Sequence, residues 1–417
     1  MASALTSEIP GADPAWHRRH DHPYFKESHY KLQRFVREYV DREIAPNVEE
    51  WERNAEVPEA AFKRHASLGF LAASAFPIPK EYVKGVTLPA GLSVDEWDEF
   101  HDAIIIDEMA RCACLGTIWG INGGATVGGP PPRPLWVATA EGKISCSSSA
   151  WTATSLSLFG SDVAGLTTIA KKTPDGKHYV LSGEKKWVTQ GRWATHGLVA
   201  ARTGPAGAKG ISVFIVPLDN EKISKRKIEN SGVSSSGSTY MEFDEILVPA
   251  ENLLGKENQG FEIIMSTFAH ERLWVGITAL RLGRVAYEDS YRYALKRETF
   301  GKPLFENQVI RQKFSRMANL LEPTQAYVEE LVYRSVRLPS LDFSPLAAML
   351  KVQAAHNLEK ISRETQQVFG GLGYSRQGQG QRVEQISRDV RVLVVSGGSE
   401  EILLDMIAKQ QRKLAHL

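Results

Sequence analysis

One stretch limits the possible folds more than any other. Asn258 to Leu304 reads as a single long amphipathic helix closed by a stop signal. Phe261, Ile264, Phe268, Val275, Leu282, Val285 and Tyr293 recur at helical spacing, marking one apolar face along the run. Gly301-Lys302-Pro303 ends it, because proline cannot continue a helix. Helical periodicity returns near Asn307–Leu338, with a break expected at Pro323, and over Pro345–Phe369; a last helix starts at Ser399. Together these segments predict a C-terminal four-helix bundle over residues 253–417.

Two features interrupt the long helix. Glu271 has Phe268 three residues before it and Trp274 and Val275 three and four after. Residues at those spacings share a face, so the carboxylate points into apolar company. Burial there disfavours the charged form, which suits a general base. A salt bridge to Arg272 or a surface glutamate is the alternative. The second feature is Lys296-Arg297-Glu298-Thr299-Phe300-Gly301-Lys302. At about 1.5 Å per residue, Arg297 lies roughly 39 Å beyond Glu271 on an unbroken helix. The two cannot serve one small site within one chain, so a shared site requires an oligomer.

Upstream the periods differ. Residues 1–29 are polar and His-rich, with His17, His20, His22 and His29. Metal binding is one reading; a solvated leader is the expectation. Residues 30–135 read as a helical unit, with helical patterns at Tyr30–Ile44, about Pro58–Gly69, Ser93–Met109 and Ile118–Val127. From about Lys171 the period falls to two. Tyr179–Leu181, Trp187–Thr189, His196–Arg202, Ile211–Leu218 and Ser238–Val248 read as strands between glycine and proline turns. Residues 136–252 therefore form a middle β domain, expected to be a compact antiparallel barrel or sandwich. The fold class is α+β, mainly α.

Bulk properties exclude several roles. Net charge is +1 over 417 residues, which gives no basis for binding nucleic acid or acidic membrane. No apolar run reaches the length of a membrane span. Cys112, Cys114 and Cys146 are odd in number and fit neither a disulfide framework nor a zinc site. No dinucleotide G-x-G-x-x-G or Walker pattern occurs, and Gly370-Gly371-Leu372-Gly373 reads as helix termination. In Ser396-Gly397-Gly398-Ser399, Ser399 suits an N-cap, and free N–H groups there can bind an anion. Glu8 and Asp13 come before the first arginine, Arg18, so the N-terminus makes a poor transit peptide. Ala415-His416-Leu417 is similar to the Ser-Lys-Leu peroxisomal address. A peroxisomal location is expected, with mitochondrion or cytoplasm as the alternative.

Five segments in order carry a resemblance: GEKKWVTQG at Gly183–Gly191, FAHERLW, KRETFGKPL, QQVFGGLGY at Gln366–Tyr374 and RDVRVLVVSGGSEEI at Arg388–Ile402. Together the chain from about Tyr30 onward resembles the acyl-CoA dehydrogenase family of flavoenzymes. The resemblance implies FAD, an acyl-CoA substrate, a trans-2-enoyl-CoA product and a homotetramer. It also implies fatty-acid β-oxidation chemistry, with electron-transfer flavoprotein as acceptor, or oxygen as in acyl-CoA oxidase and nitroalkane-oxidase relatives. The family often reads Tyr-Glu-Gly-Thr near the last helix, that Glu being the base. Here the position is Gly397. Isovaleryl- and long-chain-type members carry the base mid-way along the long helix beside an Arg, and Glu271 stands there. The resemblance thus favours Glu271 as catalytic base. Trp187, Val188 and Thr189 match the strand beside the isoalloxazine, although Trp187 also suits a barrel core. Arg297, Glu298, Thr299, Asn307, Gln308, Gln367, Val368, Phe369, Gly370, Gly371, Ser399, Glu400 and Glu401 match further cofactor contacts. Ser161, His270, Arg272 and Gly398 match positions near the substrate. Arg388-Asp389 is expected to be a structural ion pair. No metal is implied.

One segment departs. Gly160-Ser161-Asp162 is present, but the family's preceding Thr-Glu-Pro is not, and Ile144–Phe159 is uncharged and Ser-rich. The mismatch is abrupt at both flanks, which points to an aberrant exon or shifted frame over about Pro132–Phe159. Genuine divergence that disables flavin binding is the alternative. Native peptides spanning Gly128–Ser161 would refute the aberrant-exon reading.

Overall fold

The computed structural model describes residues 6–18, 22–74, 76–78, 87–123, 152–155 and 162–414. They form two compact units: residues 1–48, 96–115 and 272–417, and residues 49–95 and 116–271.

The first unit is helical. It holds α1 (Glu27–Tyr39), then, past α2 (Val48–Asn54) and α3 (Glu59–Ser67), α4 (Glu99–Met109). After α5 (Leu115–Ile118) comes α6 (Gly260–Lys296), an unbroken 37-residue helix as the periodicity predicts. The bundle is completed by α7 (Gln308–Arg334), α8 (Ser340–Phe369), α9 (Gln381–Val395) and α10 (Glu400–Leu414). α8 packs against α7, α9 and α10, and α1 against α4. The break expected at Pro323 does not occur. Met317, Leu321, Thr324 and Val328 are buried around it, and this packing outweighs a proline cost of about 3 kcal/mol.

Among the described residues of the His-rich leader, Asp13, Trp16, His17 and His29 are buried rather than solvated. Trp16 is buried and stacks on Phe25 at 4.0 Å. Asp13 accepts from Arg37 (2.9 Å) and Arg281 (3.1 Å), while Arg37 also bonds to Glu108 (2.7 Å). Asp13 finds its partners on α1 and α6, far along the chain, which a composition-based reading cannot see. His29 and His101 sit at the third position of α1 and α4, and each ring accepts the N-cap N–H. Their second nitrogens face Asp98 (2.8 Å) and Ser28 (3.1 Å). With their acceptor nitrogens taken by backbone N–H groups, these histidines serve as helix caps.

The second unit centres on one eight-stranded sheet. Its strands are β1 (Thr152–Ser155), β2 (Ile169–Lys172), β3 (His178–Val188), β4 (His196–Arg202), β5 (Ile211–Pro217), β6 (Ile223–Lys227), β7 (Thr239–Pro249) and β8 (Leu253–Leu254). The order is β6-β7-β3-β2-β4-β5-β8, with β1 beside β4. The expected antiparallel pattern holds except where β4 pairs in parallel with β1 and β2, so the sheet is mixed. Two expected short strands merge into β3, which continues through an irregularity at Gly183. Tyr179, Leu181, Val199, Phe214, Val216, Phe243 and Phe62 form the core on one face. Leu198, Val213, Ile215 and Ile264 form a second cluster on the other.

Lys185 on β3 is fully buried, and its Nζ has no hydrogen-bond partner among the described residues. Burial pulls its pKa down to about 7. An unfolded lysine titrates near 10.4, so between those values the unfolded chain holds a proton the folded chain lacks. Stability must rise with pH across that window. Lys185→Met should flatten this rise and leave the protein at least as stable at pH 7, read from urea midpoints at pH 7 and 9. A variant that keeps the slope would contradict the burial account.

Candidate active site

In the second unit, β3 ends in a bulge. Lys185 pairs with Met241 and Val188 with Thr239, so β3 carries one residue more than β7 across the interval. The extra residue rotates Trp187 to φ +64°, a conformation unusual for a bulky side chain. Val188 stays in the core, while Trp187 is 58% exposed with the Lys186 ammonium 5.0 Å from its ring. The structure therefore excludes Trp187 as a core residue. Thr189, half-buried, follows.

The next turn is anchored by residues that the sequence did not single out. Gln190 donates its side-chain amide to Gly120 O (2.8 Å) and its N–H to Ser236 O (2.9 Å). Buried Glu52 holds the same Ser234–Ser236 turn, accepting from Ser234 N–H (2.6 Å), Ser235 N–H (3.0 Å) and Ser235 Oγ (2.6 Å). Burial alone would raise the Glu52 pKa; the hydrogen bonds from Ser235 and Ser234 outweigh it and lower it. Glu52 thus positions, through two turns, the strand end that carries Trp187–Thr189. Only long-range pairing reveals it.

The N-terminal part of α6 belongs to this unit too. Phe261, Ile263, Met265 and Phe268 pack on the sheet. His270 is buried and stacks on Phe76 at 4.3 Å. Glu271 is half-buried. Ser161 lies outside the described residues, as do Ala415-His416-Leu417 and the anomalous Pro132–Phe159 apart from β1.

In the first unit the predicted residues fall into two groups. Arg272 is 6% exposed and donates from Nε to Gly397 O (3.0 Å) and from Nη1 to Ser344 Oγ (2.9 Å). This joins Arg272 to the turn containing Gly398, Ser399, Glu400 and Glu401. Glu400 pairs with His356 at 2.6 Å. Glu401 is exposed and held below the usual range by its own N–H and the Ser399 hydroxyl. The second group lies at the far end of α6. A hairpin of β9 (Glu298–Thr299) and β10 (Lys302–Pro303) follows the helix, and Arg297 O accepts Leu304 N–H. Arg297, Glu298 and Gln308 are exposed and Asn307 begins α7. Phe369 stacks on Tyr293 at 4.5 Å, which brings the end of α8 here. Gln367, Gly370 and Gly371 are exposed beside it, whereas Val368 and Phe369 are packed inside. Those last two can offer a ligand only their backbone.

The groups are far apart. Ser344 touches Arg272 and Phe369 touches Tyr293, so 25 residues of α8 span the gap. At about 1.5 Å per residue that is roughly 37 Å, agreeing with the length read along α6. The ion pair expected at Arg388 runs to Glu384 (2.8 Å). Asp389 accepts Leu115 N–H (2.9 Å) and the Gln385 amide. An i,i+4 helix contact competed better than the adjacent residue, which points to another face.

Sequence profiles for the three acyl-CoA dehydrogenase domains match in order: the N-terminal domain over residues 26–131, the middle domain over 152–246 and the C-terminal domain over 258–411. Acyl-CoA dehydrogenase AFT10-1 of Alternaria alternata is 41% identical, across 99% of this chain and 98% of its own. The chain belongs to the acyl-CoA dehydrogenase family. It is an FAD-dependent oxidoreductase acting on acyl-CoA. Butyryl-CoA dehydrogenase from Megasphaera elsdenii superposes with a TM-score of 0.81 at 25% identity, over 93% of this chain and 98% of that one. A putative acyl-CoA dehydrogenase from Mycobacterium smegmatis gives 0.82 at 27%, over 93% and 98%. The profiles leave residues 132–151 unmatched, inside the segment whose sequence departs from the family.

Each unit, taken by itself, holds residues that fit part of FAD. In the second, Trp187 offers an aromatic face; in the first, Arg297 offers a cation suited to a pyrophosphate. The first N–H groups of α10 lack helical partners and favour an anion. Thr299 Oγ1 and Ser396 Oγ are buried without a hydrogen-bond partner among the described residues. Polar atoms left so are costly unless a ligand satisfies them.

Proposed function

We propose that Glu271 is the base of this dehydrogenase, taking the α-proton of an acyl-CoA as the β-hydride leaves, to give a trans-2-enoyl-CoA. The observation that carries this is at position 397. It is glycine with φ +66°, so no carboxylate can come from that position. Its carbonyl is held by Arg272, the residue after Glu271 on α6. Phe268 and Trp274 flank Glu271 at helical spacing. FAD, when bound, accepts the hydride. The substrate is proposed to be a branched or long acyl chain, by similarity of base placement to isovaleryl- and long-chain-type enzymes.

The oligomer is proposed to be a homotetramer in which Arg297, Glu298, Thr299, Asn307 and Gln308 complete a neighbour's cofactor site. The roughly 37 Å between the two groups in one chain supports this. Electron-transfer flavoprotein is the proposed acceptor, and the peroxisome the proposed location, from Ala415-His416-Leu417. Co-expression of Glu271→Gln with Arg297→Ala tests the shared site: mixed oligomers should recover activity that neither variant has alone. No recovery in verified mixed oligomers would place Arg297 outside its neighbour's site. Hydrogen peroxide formed in step with enoyl-CoA would instead make oxygen the acceptor.

A further inference from the structure

β3 is interrupted twice. Its pairing with β7 shifts between Leu181 and Gly183 and again between Lys185 and Val188. Gly183 has φ +132°, and a Cβ there would stand 2.8 Å from Thr168 Cα, which leaves no room for a side chain at the first break. Three paired residues lie between the breaks: Gly183, Glu184 and Lys185. Beyond them, the strand end with Trp187 is joined to β7 by the Val188–Thr239 pair. A ladder interrupted on both sides gives way more readily than the continuous strands around it.

Lys185 stands at the second break. Its partner Met241 belongs to the buried core cluster, and directly opposed residues share one face of a sheet, so the lysine stem enters that cluster. The side chain is fully buried, and Nζ has no hydrogen-bond partner among the described residues. No nearby charge answers it either. Lys225 of β6 faces Met241 from the other side, half-buried, and donates to Ala194 O (3.3 Å). Tyr179 is the titratable group that β3 itself adds to the cluster. β7 and β2 keep Glu242, Asp244, Lys171 and Lys172 exposed, and β1 carries no titratable residue. α3 lends Phe62 to the cluster; its Lys63 and Arg64 are exposed, and burial pulls its His65 down to about 3. Burial alone acts on the Lys185 amine.

We propose that Lys185 is a proton-operated latch on the strand end that carries Trp187–Thr189: when its amine takes up a proton, the segment from Gly183 onward leaves β7 and water reaches the charge. The inference rests on the reading of Trp187–Thr189 as the strand beside the flavin. On that reading, FAD leaves through the opened form.

The sign with pH follows from the two states. Closed, the amine titrates at about 7; opened to water, near 10.4. Between those values the opened form holds a proton that the closed form lacks. Opening therefore weakens about tenfold for each pH unit gained above 7 and is independent of pH below 7.

The test follows the FAD-loaded full chain from pH 6 to pH 9 by two readings: hydrogen-exchange protection of the Gly183–Thr189 amides, and the rate at which FAD leaves on dilution. In wild type, protection should rise and FAD release should slow about tenfold per unit above pH 7, both being flat below it. Lys185→Met puts an apolar stem into an apolar cluster; it should make both readings flat throughout, with slow release. Lys185→Arg keeps its charge at every pH tested, so its release should be fast and flat. Wild-type protection that ignores pH, or a pH dependence retained in Lys185→Met, would overturn the latch. So would strand-end amides as well protected as those of the buried strand β5, since they would then open only with the whole unit. Protection that follows pH while FAD release does not would leave the latch standing and sink the flavin-strand reading. The wild-type series carries the test if a variant fails to fold.

Discussion

Glu271→Gln should abolish flavin reduction by acyl-CoA while leaving flavin content and fold intact. Loss of a positioned base costs about 10²–10⁴-fold, and the amide cannot accept the proton at all. Glutamine keeps the size and the polar contacts of a half-buried side chain on an otherwise well-packed helix, so stability should change little. Rapid-mixing absorbance at the flavin band is the direct reading. Reduction within threefold of wild type would remove Glu271 from the mechanism. The base would then have to come from elsewhere, since position 397 is glycine. Gly397→Glu is not expected to rescue activity by itself, because φ +66° strains any side chain other than glycine's.

The second large effect concerns stability. Arg37, Asp13 and Glu108 have side chains no more than 2% exposed. Arg281 joins them and also binds Asp107. Burial would raise the Glu108 carboxyl, but the charges of Arg37 and Arg111 outweigh it and bring it down to about 2. Asp13 is likewise held well below the usual range: burial is opposed by the His17 hydrogen bond and the charges of Arg281 and Arg37. Arg37→Met should destabilise the protein by about 3–5 kcal/mol, because it leaves buried carboxylates short of a partner. Adding Glu108→Leu should recover much of that loss, since an apolar pair often matches a buried ion pair. Equilibrium urea unfolding of the single and double variants checks both. The sign with pH is fixed. Carboxyls depressed on folding contribute fully above the unfolded value near 4 and lose that contribution as pH falls towards 2. Wild-type stability should therefore fall across pH 4 to 2, and in Arg37→Met this acid loss should be smaller. An Arg37→Met protein as stable as wild type would show that the network is replaceable by water.

How much of this was legible in the sequence differs by element. α6 was, its start to within two residues, because an apolar stripe recurs along it; the stop at Gly301-Lys302-Pro303 instead closes the short hairpin that follows the helix end at Lys296. The proposal of Glu271 as base also starts from the sequence, through the glycine at 397 and the resemblance to isovaleryl- and long-chain-type members, and the Glu271→Gln variant tests it. β6, Ile-Ser-Lys-Arg-Lys, was not legible, because only Ile223 is buried and an edge strand needs no second apolar residue. The leader was misread because Asp13 and His17 look like solvent-seeking residues until Arg37 and Arg281, far along the chain, are brought to them. Glu52 and Lys185 were silent for the same reason. A charged residue carries no sequence signature of its burial, which only the fold decides. The same limit applied to Trp187, where one extra residue in β3 decided between core and surface.

The measurement that bears most directly on the central claim is the visible spectrum of the purified protein, taken without oxygen before and after adding a panel of straight and branched acyl-CoAs. A yellow protein whose band bleaches with one chain class, and returns on addition of electron-transfer flavoprotein, is the predicted result. It would also show which acyl chains the enzyme accepts. A colourless protein that takes up no added FAD would contradict the account and mean that the chain, with its unusual 132–159 segment, does not form the flavin site.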